Sequence, residues 1–370
     1  MPYGSLAIDK LTASTGQVFS PASSIMRNRI INGGMVIDQR NAGASVTPNG
    51  TYTLDRWATE NSVTSKFTVQ QNAGSVTPPV GFTKYLGVTS SSSYSSGASD
   101  YFDVCQRIEG YNIADLGWGT ANAKTVTLSF QVYSSLTGTF SGALQNSNAS
   151  RSYPFTYAVS SANTWTSISV TIAGDTSGTW LSTNGVGIQV CFDLGSGTSL
   201  RGTAGSWSGN WYIGATGAVS VVGTSGATFY ITGVQLEAGT VASQFEYRQY
   251  GTELALCQRY FEKSIADGTA ANAIVNTAPT LIGCAYSSTT VRTQIFYKVS
   301  KRVTGTITRV PSSTGGTGSQ WAWYNGGWNV GNTSVSQSNP NAFSVDVTVS
   351  GLTAFQSTLI DANWYTDAEL

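Results

Sequence analysis

The amino-acid sequence predicts an all-β protein made of two antiparallel β-sandwiches joined by one short helix. Apolar and polar residues alternate in successive stretches of the chain, the pattern of strands with one buried face. Clusters of Gly, Ser, Asn and Asp separate these stretches, and only one segment has helical spacing of its apolar residues. Because no long helices lie between the strands, we expect antiparallel sandwiches and not a parallel sheet.

The composition is typical of a β-rich adhesin or virion appendage. The chain has 370 residues, enough for two or more domains with their own cores. Charged residues make up 10% of it, against roughly 25% in ordinary globular domains. Hydroxyls and amides therefore cover a surface that charges usually cover. Ten Trp and 18 Tyr residues are too many for a disordered linker.

Several function classes are excluded by what the sequence lacks. Lys and Arg balance Asp and Glu at 19 each without any basic run, so we expect no nucleic-acid partner. No apolar stretch approaches the ~20 residues that span a bilayer, and the first residues lack the features of a secretory signal. The chain has no histidine, which removes the usual general base and the commonest metal ligand. We therefore expect no enzyme, no cofactor and no metal.

The first part of the chain divides into a leader and a large domain. Residues 1–28 are polar and lack periodicity, so we expect a leader that docks onto another protein. Residues 29–243 carry the strands of the first sandwich. The predicted strands lie at 30–40, 52–57, 126–132, 168–172, 186–192 and 229–236.

Residues 244–264 form the predicted linker with its short helix. Gly251 and Thr252 could cap the helix, and Glu253 complements its N-terminus. An apolar stripe is spaced at i, i+3 and i+7: Leu254, Cys257 and Phe261. Two interpretations stay open. The stripe packs on its own chain, or three copies meet there and make it the oligomer interface of a trimer.

Residues 265–370 are of a size that suits a second, smaller β-sandwich. Its clearest predicted strands lie at 291–299, 303–308 and 343–349. The four cysteines of the whole chain match no zinc or redox pattern, so we expect small buried apolar residues. They are Cys105, Cys191, Cys257 and Cys284.

Three stretches together resemble tailed-bacteriophage tail-fibre or minor structural proteins. They read INGGMVIDQR at 31–40 with YTLDRW at 52–57, FYITGVQLE at 229–237 with QRYF at 258–261, and TDAEL at 366–370. The resemblance covers residues 29–370 in order. It implies a jelly roll like that of carbohydrate-binding modules, a helical neck and a C-terminal trimeric tip that holds the host surface. It carries no catalytic motif.

The most informative local cluster is WAWYNGGW at 321–328. Asn325-Gly326 and Gly326-Gly327 both favour a two-residue hairpin loop, and either register places Trp321, Trp323 and Trp328 on one face. Three indoles could stack on sugar rings while Asn325 supplies polar contacts. The alternative is that this face is core or a subunit contact, which is the commoner fate of aromatic residues.

A second aromatic set lies in Gly/Ser-rich loops of the first sandwich: Trp118, Trp207, Trp211 and Tyr212. These rings could meet a glycan or plug the end of the sandwich, and both interpretations stay open. Trp57 and Trp165 are expected in the core. Asp100, Asp103 and Glu109 offer oxygen ligands for calcium, but match no liganding loop, so we expect ordinary solvation.

These observations predict a virion fibre protein, on a tail or another surface appendage, that acts as a homotrimer. The leader would bind another virion structural protein, and the tip would bind host cell-surface polysaccharide through several copies at once. Two alternatives remain: a head or tail decoration without glycan binding, and a polysaccharide depolymerase that works with carboxylates alone.

Overall fold

The computed structural model describes residues 11–12, 18–19, 26–275, 280–311 and 316–370. Strands dominate them, and the one α-helix among them lies between two β-rich units, which confirms the all-β class. Two short strands of the predicted leader, β1 (Leu11–Thr12) and β2 (Val18–Phe19), pair antiparallel. Most other residues of the leader lie outside the described residues. No helix in the described part of the chain is long and apolar enough to cross a membrane.

The first unit is a sandwich of two antiparallel sheets. Its strands are β3 (Tyr52–Leu54), β4 (Trp57–Asn61), β5 (Phe67–Gln71), β6 (Leu86–Ser90), β7 (Phe102–Glu109), β8 (Val126–Ser134), β9 (Gly138–Gln145), β10 (Ser152–Val159), β11 (Thr166–Ile172), β12 (Val186–Asp193), β13 (Arg201–Gly202), β14 (Gly214–Ala215) and β15 (Thr228–Ala238). One sheet has the order β10-β9-β12-β7-β4-β3, and the other β11-β8-β15-β6-β5, while β13 and β14 lie outside both and pair parallel with each other. Apolar side chains from both sheets fill the space between them, as the alternating pattern predicts.

The predicted strand at 30–40 is wrong, because this segment forms turns. Asn32 and Met35 have positive φ angles of 58° each, which a strand does not allow. The Asn32 side chain accepts the N–H of Ile37 at 3.0 Å and donates to the Ile37 carbonyl at 2.8 Å. Ile30, Met35 and Ile37 of this segment all point into apolar clusters, and their burial produces the pattern that resembles a strand.

The helix α1 (Tyr250–Gln258) begins one residue before the predicted cap, and no side chain caps it. Glu253 in its first turn accepts the backbone N–H of Asn32. Cys257 packs on Ile31 and Ile37 of the same chain, with Leu254 at the edge of this cluster.

The predicted trimer interface needs correction. Cys257 is fully buried within one chain, and Phe261 is also buried and begins a strand, β16 (Phe261–Lys263), after the helix has ended. Neither side chain has surface left for a subunit contact. The helix therefore packs on its own chain, and Leu254, which is only partly buried, is the one residue of the stripe that reaches the surface.

The second unit closes into a barrel. Its strands are β17 (Thr280–Ser287), β18 (Thr290–Phe296), β19 (Thr306–Val310), β20 (Gln320–Tyr324), β21 (Trp328–Ser338), β22 (Ala342–Thr348), β23 (Ser357–Asp361) and β24 (Asn363–Asp367). Six of them form the closed order β17-β18-β22-β21-β20-β23, while β16, β24 and β19 form a three-stranded sheet. The sequence predicts three strands here, at 291–299, 303–308 and 343–349, which overlap β18, β19 and β22. It does not predict the closure, which leaves the six strands of the barrel without free edges.

Two of the four cysteines form a disulfide, which corrects their prediction as free buried side chains. Cys105 of β7 and Cys191 of β12 face each other in the ladder and are joined by a disulfide. Cys257 is buried, as predicted, and Cys284 is exposed on the second unit. Pairing between strands that lie far apart in sequence cannot be read from cysteine spacing.

Candidate functional site

The hairpin of β20 and β21 has a three-residue loop. Tyr324 pairs with Trp328, and the N–H of Asn325 donates to the carbonyl of Gly327 at 2.9 Å. Gly326 takes a positive φ of 69° in this loop, which suits glycine. Both two-residue registers predicted from the sequence are therefore wrong. The extra loop residue shifts the pairing by one position, which moves Trp328 to the other face of the hairpin.

Trp321 and Trp323 point into the barrel and belong to its core. They are 0% and 3% exposed, and the indole N–H of Trp321 reaches the carbonyls of Val310 at 3.1 Å and Asn363 at 3.0 Å. The prediction that Trp321, Trp323 and Trp328 share one face is wrong. In this conformation neither buried indole can touch a ligand outside the barrel.

The outer face of the barrel instead carries a row of exposed apolar side chains. Ile282 of β17 pairs with Leu359 of β23, and Tyr324 of β20 pairs with Trp328 of β21. Trp323 opposes Ile360, so Tyr324 comes next to Leu359 in the same ladder. The exposed fractions of these side chains are 73% for Ile282, 43% for Leu359, 42% for Tyr324 and 44% for Trp328. We call these four residues the apolar row.

A groove of about 330 Å³ runs beside the apolar row. It is lined by Ile282, Tyr324, Asn325, Gly326, Gln356, Ser357, Thr358 and Leu359, none of which carries a charge. The Gln356 side-chain oxygen accepts the N–H of Thr353 at 3.1 Å, which leaves its NH₂ group for other partners. Among the described residues, the Ser357 and Tyr324 hydroxyls have no hydrogen-bond partner. The groove thus combines apolar surface with free, uncharged hydrogen-bonding groups.

The predicted aromatic set of the first unit separates into buried and exposed rings. Trp207 packs on Trp118 at 5.3 Å and on Trp180 at 5.4 Å, and its indole N–H donates to Ala173 at 2.8 Å. These rings close the end of the sandwich, which was one of the two open interpretations.

Trp211 is the best exposed ring of that predicted set, at 39%, and packs on Tyr101 at 5.8 Å. Tyr212 is partly buried and accepts the Asn210 amide at 3.1 Å. Trp57 is core, as predicted. Trp165 lies instead on the outer face of a sheet, next to Tyr133 at 5.5 Å, which corrects its core assignment.

The acidic residues considered for calcium do not converge. Asp100 accepts the Tyr94 hydroxyl at 2.8 Å, and this hydrogen bond lowers the pKa of the Asp100 carboxyl. Glu109 is held by Arg259 at the far end of β7.

Asp103 is fully buried, next to Glu60 and Asp193 on the neighbouring strands. Burial first, and then the charges of Glu60 and Asp193, raise the pKa of Asp103 well above its usual range. Because its side chain has no exposed surface, it cannot touch a polymer substrate in this conformation.

A second, smaller cavity of about 210 Å³ lies between the first unit and α1. It is lined mainly by polar side chains, including Asp38, Lys84, Tyr250 and Asp267. Asp38 already accepts the backbone N–H groups of Asn41 at 2.9 Å and Gly43 at 2.7 Å, and Tyr250 reaches Asp267 at 3.4 Å. These groups hold the local chain together, so the barrel groove is the stronger candidate site.

The sequence prediction included Asn325, which lines this groove, and Trp328, which lies beside it in the apolar row, but it missed Ile282, Tyr324 and Leu359. One signal was available for Ile282: Leu281 and Ile282 are adjacent apolar residues, so in a strand one of them must face outward. Leu359 and Tyr324 become neighbours of Ile282 only through closure of the barrel.

No known family model matches the sequence, and no curated protein does. Similar solved structures include the enzymatically active domain of tailspike protein 4 from bacteriophage CBA120, with 12% identity over 58% of this chain and 22% of that one, at a TM-score of 0.32. The family 11 carbohydrate-binding module of a Clostridium thermocellum cellulosomal cellulase matches at 11% identity over 54% and 98% of the two chains, at 0.26.

The module TmCBM61, solved with β-1,4-galactotriose, matches at 10% identity over 58% and 99% of the two chains, with a TM-score of 0.29. The chain thus spans less than a quarter of the tailspike domain and nearly all of either module. At these identities and scores the likenesses carry no argument about what this chain does.

Proposed function

We propose that this chain is an attachment protein that binds host-surface glycans through the groove on its second unit. One observation carries the proposal: the exposed rings of Tyr324 and Trp328 lie 5.6 Å apart at an angle of 72°, beside a groove with uncharged polar groups. Aromatic faces are electron-rich and attract the C–H faces of sugars, whereas amides and hydroxyls pair with sugar hydroxyls.

The wider role in the proposal is that of a virion fibre protein. It is supported by the sequence resemblance over residues 29–370 and by the low charge of the chain, 10% of its residues. The leader would bind another virion protein, and the chain would act as a homotrimer on a tail or other appendage. Weak contacts from several copies add up through avidity. Since Cys257 and Phe261 are buried in their own chain, the contacts between copies would lie elsewhere.

We propose that the chain has no catalytic activity of its own. The carboxylate-based depolymerase is the main competing function, since Glu60 and Asp103 are paired on neighbouring strands. The burial of Asp103 argues against it, because a general acid must reach the glycosidic oxygen. A structural decoration without glycan binding is the other competing function.

The test is binding of the purified full chain to intact bacterial envelopes, with soluble envelope polysaccharide as competitor and polymer size monitored. We expect competed binding with intact polymer. Shortening of the polymer would identify a depolymerase, and absence of binding would identify a decoration.

The Trp328→Ala variant should bind at least about tenfold more weakly, which corresponds to ~1.4 kcal/mol. Phe296→Ala removes a ring that is 70% exposed, against 44% for Trp328, and that lies on the same barrel outside both the groove and the apolar row; this variant should bind normally. Equal losses in both variants would overturn the assignment of the site.

A further inference from the structure

We infer that the groove takes an uncharged, linear glycan whose chain lies across the strands of the barrel. This inference rests on the proposed function and adds the class of sugar and its direction. Two independent observations carry it: the absence of charge among the lining residues, and the order of the apolar row across four neighbouring strands.

Desolvation disfavours a charged sugar in this groove. A sugar carboxylate, sulfate or phosphate that enters a groove loses water and needs a cation or several N–H groups in exchange. None of the lining side chains is charged. Arg292, on the strand next to β17, is held by both oxygens of Asp346 at 2.6 and 2.8 Å. A charged sugar would therefore lose hydration without gaining a free cation from these residues.

The direction of the bound glycan chain follows from the pairing of the barrel strands. Ile282, Leu359, Tyr324 and Trp328 occupy one position each on β17, β23, β20 and β21. Adjacent strands lie ~4.8 Å apart, so the row is about 14 Å long and perpendicular to the strands. A linear run of sugar rings can place one apolar face after another on such a row. A branched residue or a single sugar would leave part of it uncovered.

The hydrogen-bonding groups of the groove lie to one side of the row, at the start of β23 and the end of β20. Ser357 and Gln356 belong to the segment that enters β23, and Tyr324 ends β20. Hydroxyls both donate and accept, and the free NH₂ group of Gln356 donates. These groups match the mixed donors and acceptors of neutral sugars, and they require no ionised partner.

The direct test compares one polymer with and without its charge. The probe is an acidic bacterial polysaccharide rich in uronic acids, used either intact or after chemical reduction of its carboxylates to alcohols. A fluorophore on Cys284 reports binding, because Cys284 is exposed, lies opposite the groove residue Ser357 and does not itself line the groove. The other thiols are buried or in the disulfide.

We expect the reduced polymer to bind at least about tenfold more tightly than the acidic one. Its affinity should change less than about twofold between 0.05 and 0.5 M salt, because no ion pair forms. Among neutral linear oligosaccharides, affinity should rise from one to about three units and then level off, as the row of about 14 Å fills. Tighter binding of the acidic polymer, weakened by salt, would overturn the charge argument. Length-independent affinity would overturn the direction.

A gain of function provides the sharper control. Gln356→Lys places a cation in the groove and should raise affinity for the acidic polymer by about tenfold. Gln356→Met has similar volume and no charge, so it should bind both polymers more weakly through loss of the NH₂ donor and should gain no affinity for the acidic one. If the lysine variant gains nothing, the groove is not where the polymer binds.

The outcomes also separate this inference from the proposed function. If neither polymer binds, glycan attachment itself fails. If both bind but Trp328→Ala changes nothing, attachment stands and the groove is wrong, with Trp211 as the next candidate. If Leu359→Ser changes the mass of the particle in light scattering, a second copy covers the apolar row, and the inference is overturned.

Discussion

Tyr260 donates its hydroxyl to the buried carboxylate of Glu109 at 2.6 Å, across the junction between the linker and the first unit. Arg259 reaches the same carboxylate at 2.6 and 2.9 Å. Arg259 and Tyr260 of the QRYF segment thus both hydrogen-bond to Glu109 at the end of β7. The segment therefore acts as a structural clamp between the linker and the first unit.

We predict that Glu109→Gln destabilises the junction by about 2 kcal/mol, because the variant leaves Arg259 without its partner. Burial alone would raise the pKa of Glu109, but the bonds from Arg259 and Tyr260 outweigh it and hold this pKa below its usual range. The carboxylate therefore contributes stability above its unfolded-state pKa, and this stability is lost as the pH falls through the lowered value.

The measurement is thermal unfolding at a series of pH values from 3 to 7. The natural chain should lose stability in the acid range, and Glu109→Gln should show a flatter dependence there. Asp115→Asn is a matched control: this carboxylate also pairs with an arginine, Arg29 at 2.7 Å, but it lies on the surface, where such pairs contribute little. A flattening as large in the control would contradict a specific role of Glu109.

Asp103 should behave in the opposite way. Its pKa is raised by burial and by the charges of Glu60 and Asp193, so the folded state keeps a proton that the unfolded state releases. Stability is then highest below the unfolded-state pKa and falls as the pH rises toward the folded-state value. We predict that Asp103→Asn raises the free energy of unfolding at pH 7 by ~1 kcal/mol.

Chemical denaturation at pH 5 and pH 8 would measure this effect. The gain in Asp103→Asn should be larger at the higher pH, where the natural carboxyl is closest to ionising. Glu60→Gln removes one of the two neighbouring charges and should give a smaller gain in the same direction, offset by the loss of its pair with Arg107. A destabilised Asp103→Asn variant would show that the carboxylate is ionised and needed.

Much of the fold could be predicted because alternation records burial. The predicted strands at 126–132, 168–172 and 186–192 fall within β8, β11 and β12. Alternation failed at 30–40, where turns and not a strand bury residues 30–33, Met35, Ile37 and Gln39. The pattern shows which residues are buried, but not which backbone conformation buries them.

The candidate site was harder to predict because it depends on register and closure. One extra residue in the loop after Tyr324 decides that Trp328 faces outward while Trp323 faces inward. Glycine-rich loops of two and three residues look alike in sequence. The pairing of Ile282 with Leu359 joins residues far apart in the chain, and local patterns do not encode such partners.

Removing the disulfide should lower stability strongly. The bond between Cys105 and Cys191 closes a loop with a sequence separation of 86 residues. Cross-links over loops of this length contribute roughly 3–5 kcal/mol, mainly by restricting the unfolded chain. We predict that the double variant Cys105→Ala, Cys191→Ala still folds, since the apolar cluster between the two sheets keeps all its members, but melts at a clearly lower temperature.

Addition of a reductant separates this effect from lost packing. In the presence of reductant, the melting temperature of the natural chain should fall to that of the double variant. The melting temperature of the double variant should not change. Cys284→Ala serves as control, because this thiol is exposed and unpaired, and it should change nothing. A natural chain that melts at the same temperature with and without reductant would contradict the cross-link.

The last prediction concerns the linker helix and the two interpretations of its apolar stripe. Cys257 is fully buried against Ile31 and Ile37, so Cys257→Asp places an unpaired charge in a core and should destabilise the chain by several kcal/mol. Leu254→Asp lies at the edge of the same cluster, where water can reach the new carboxylate, and should cost much less. If the helix packs on its own chain, both variants lower the melting temperature, Cys257→Asp more than Leu254→Asp. Neither variant then changes the particle mass in light scattering while it stays folded. If the helix were a trimer axis, Leu254→Asp would reduce the mass to that of one chain with little effect on melting. The burial of Cys257 and Phe261 leads us to expect the first result.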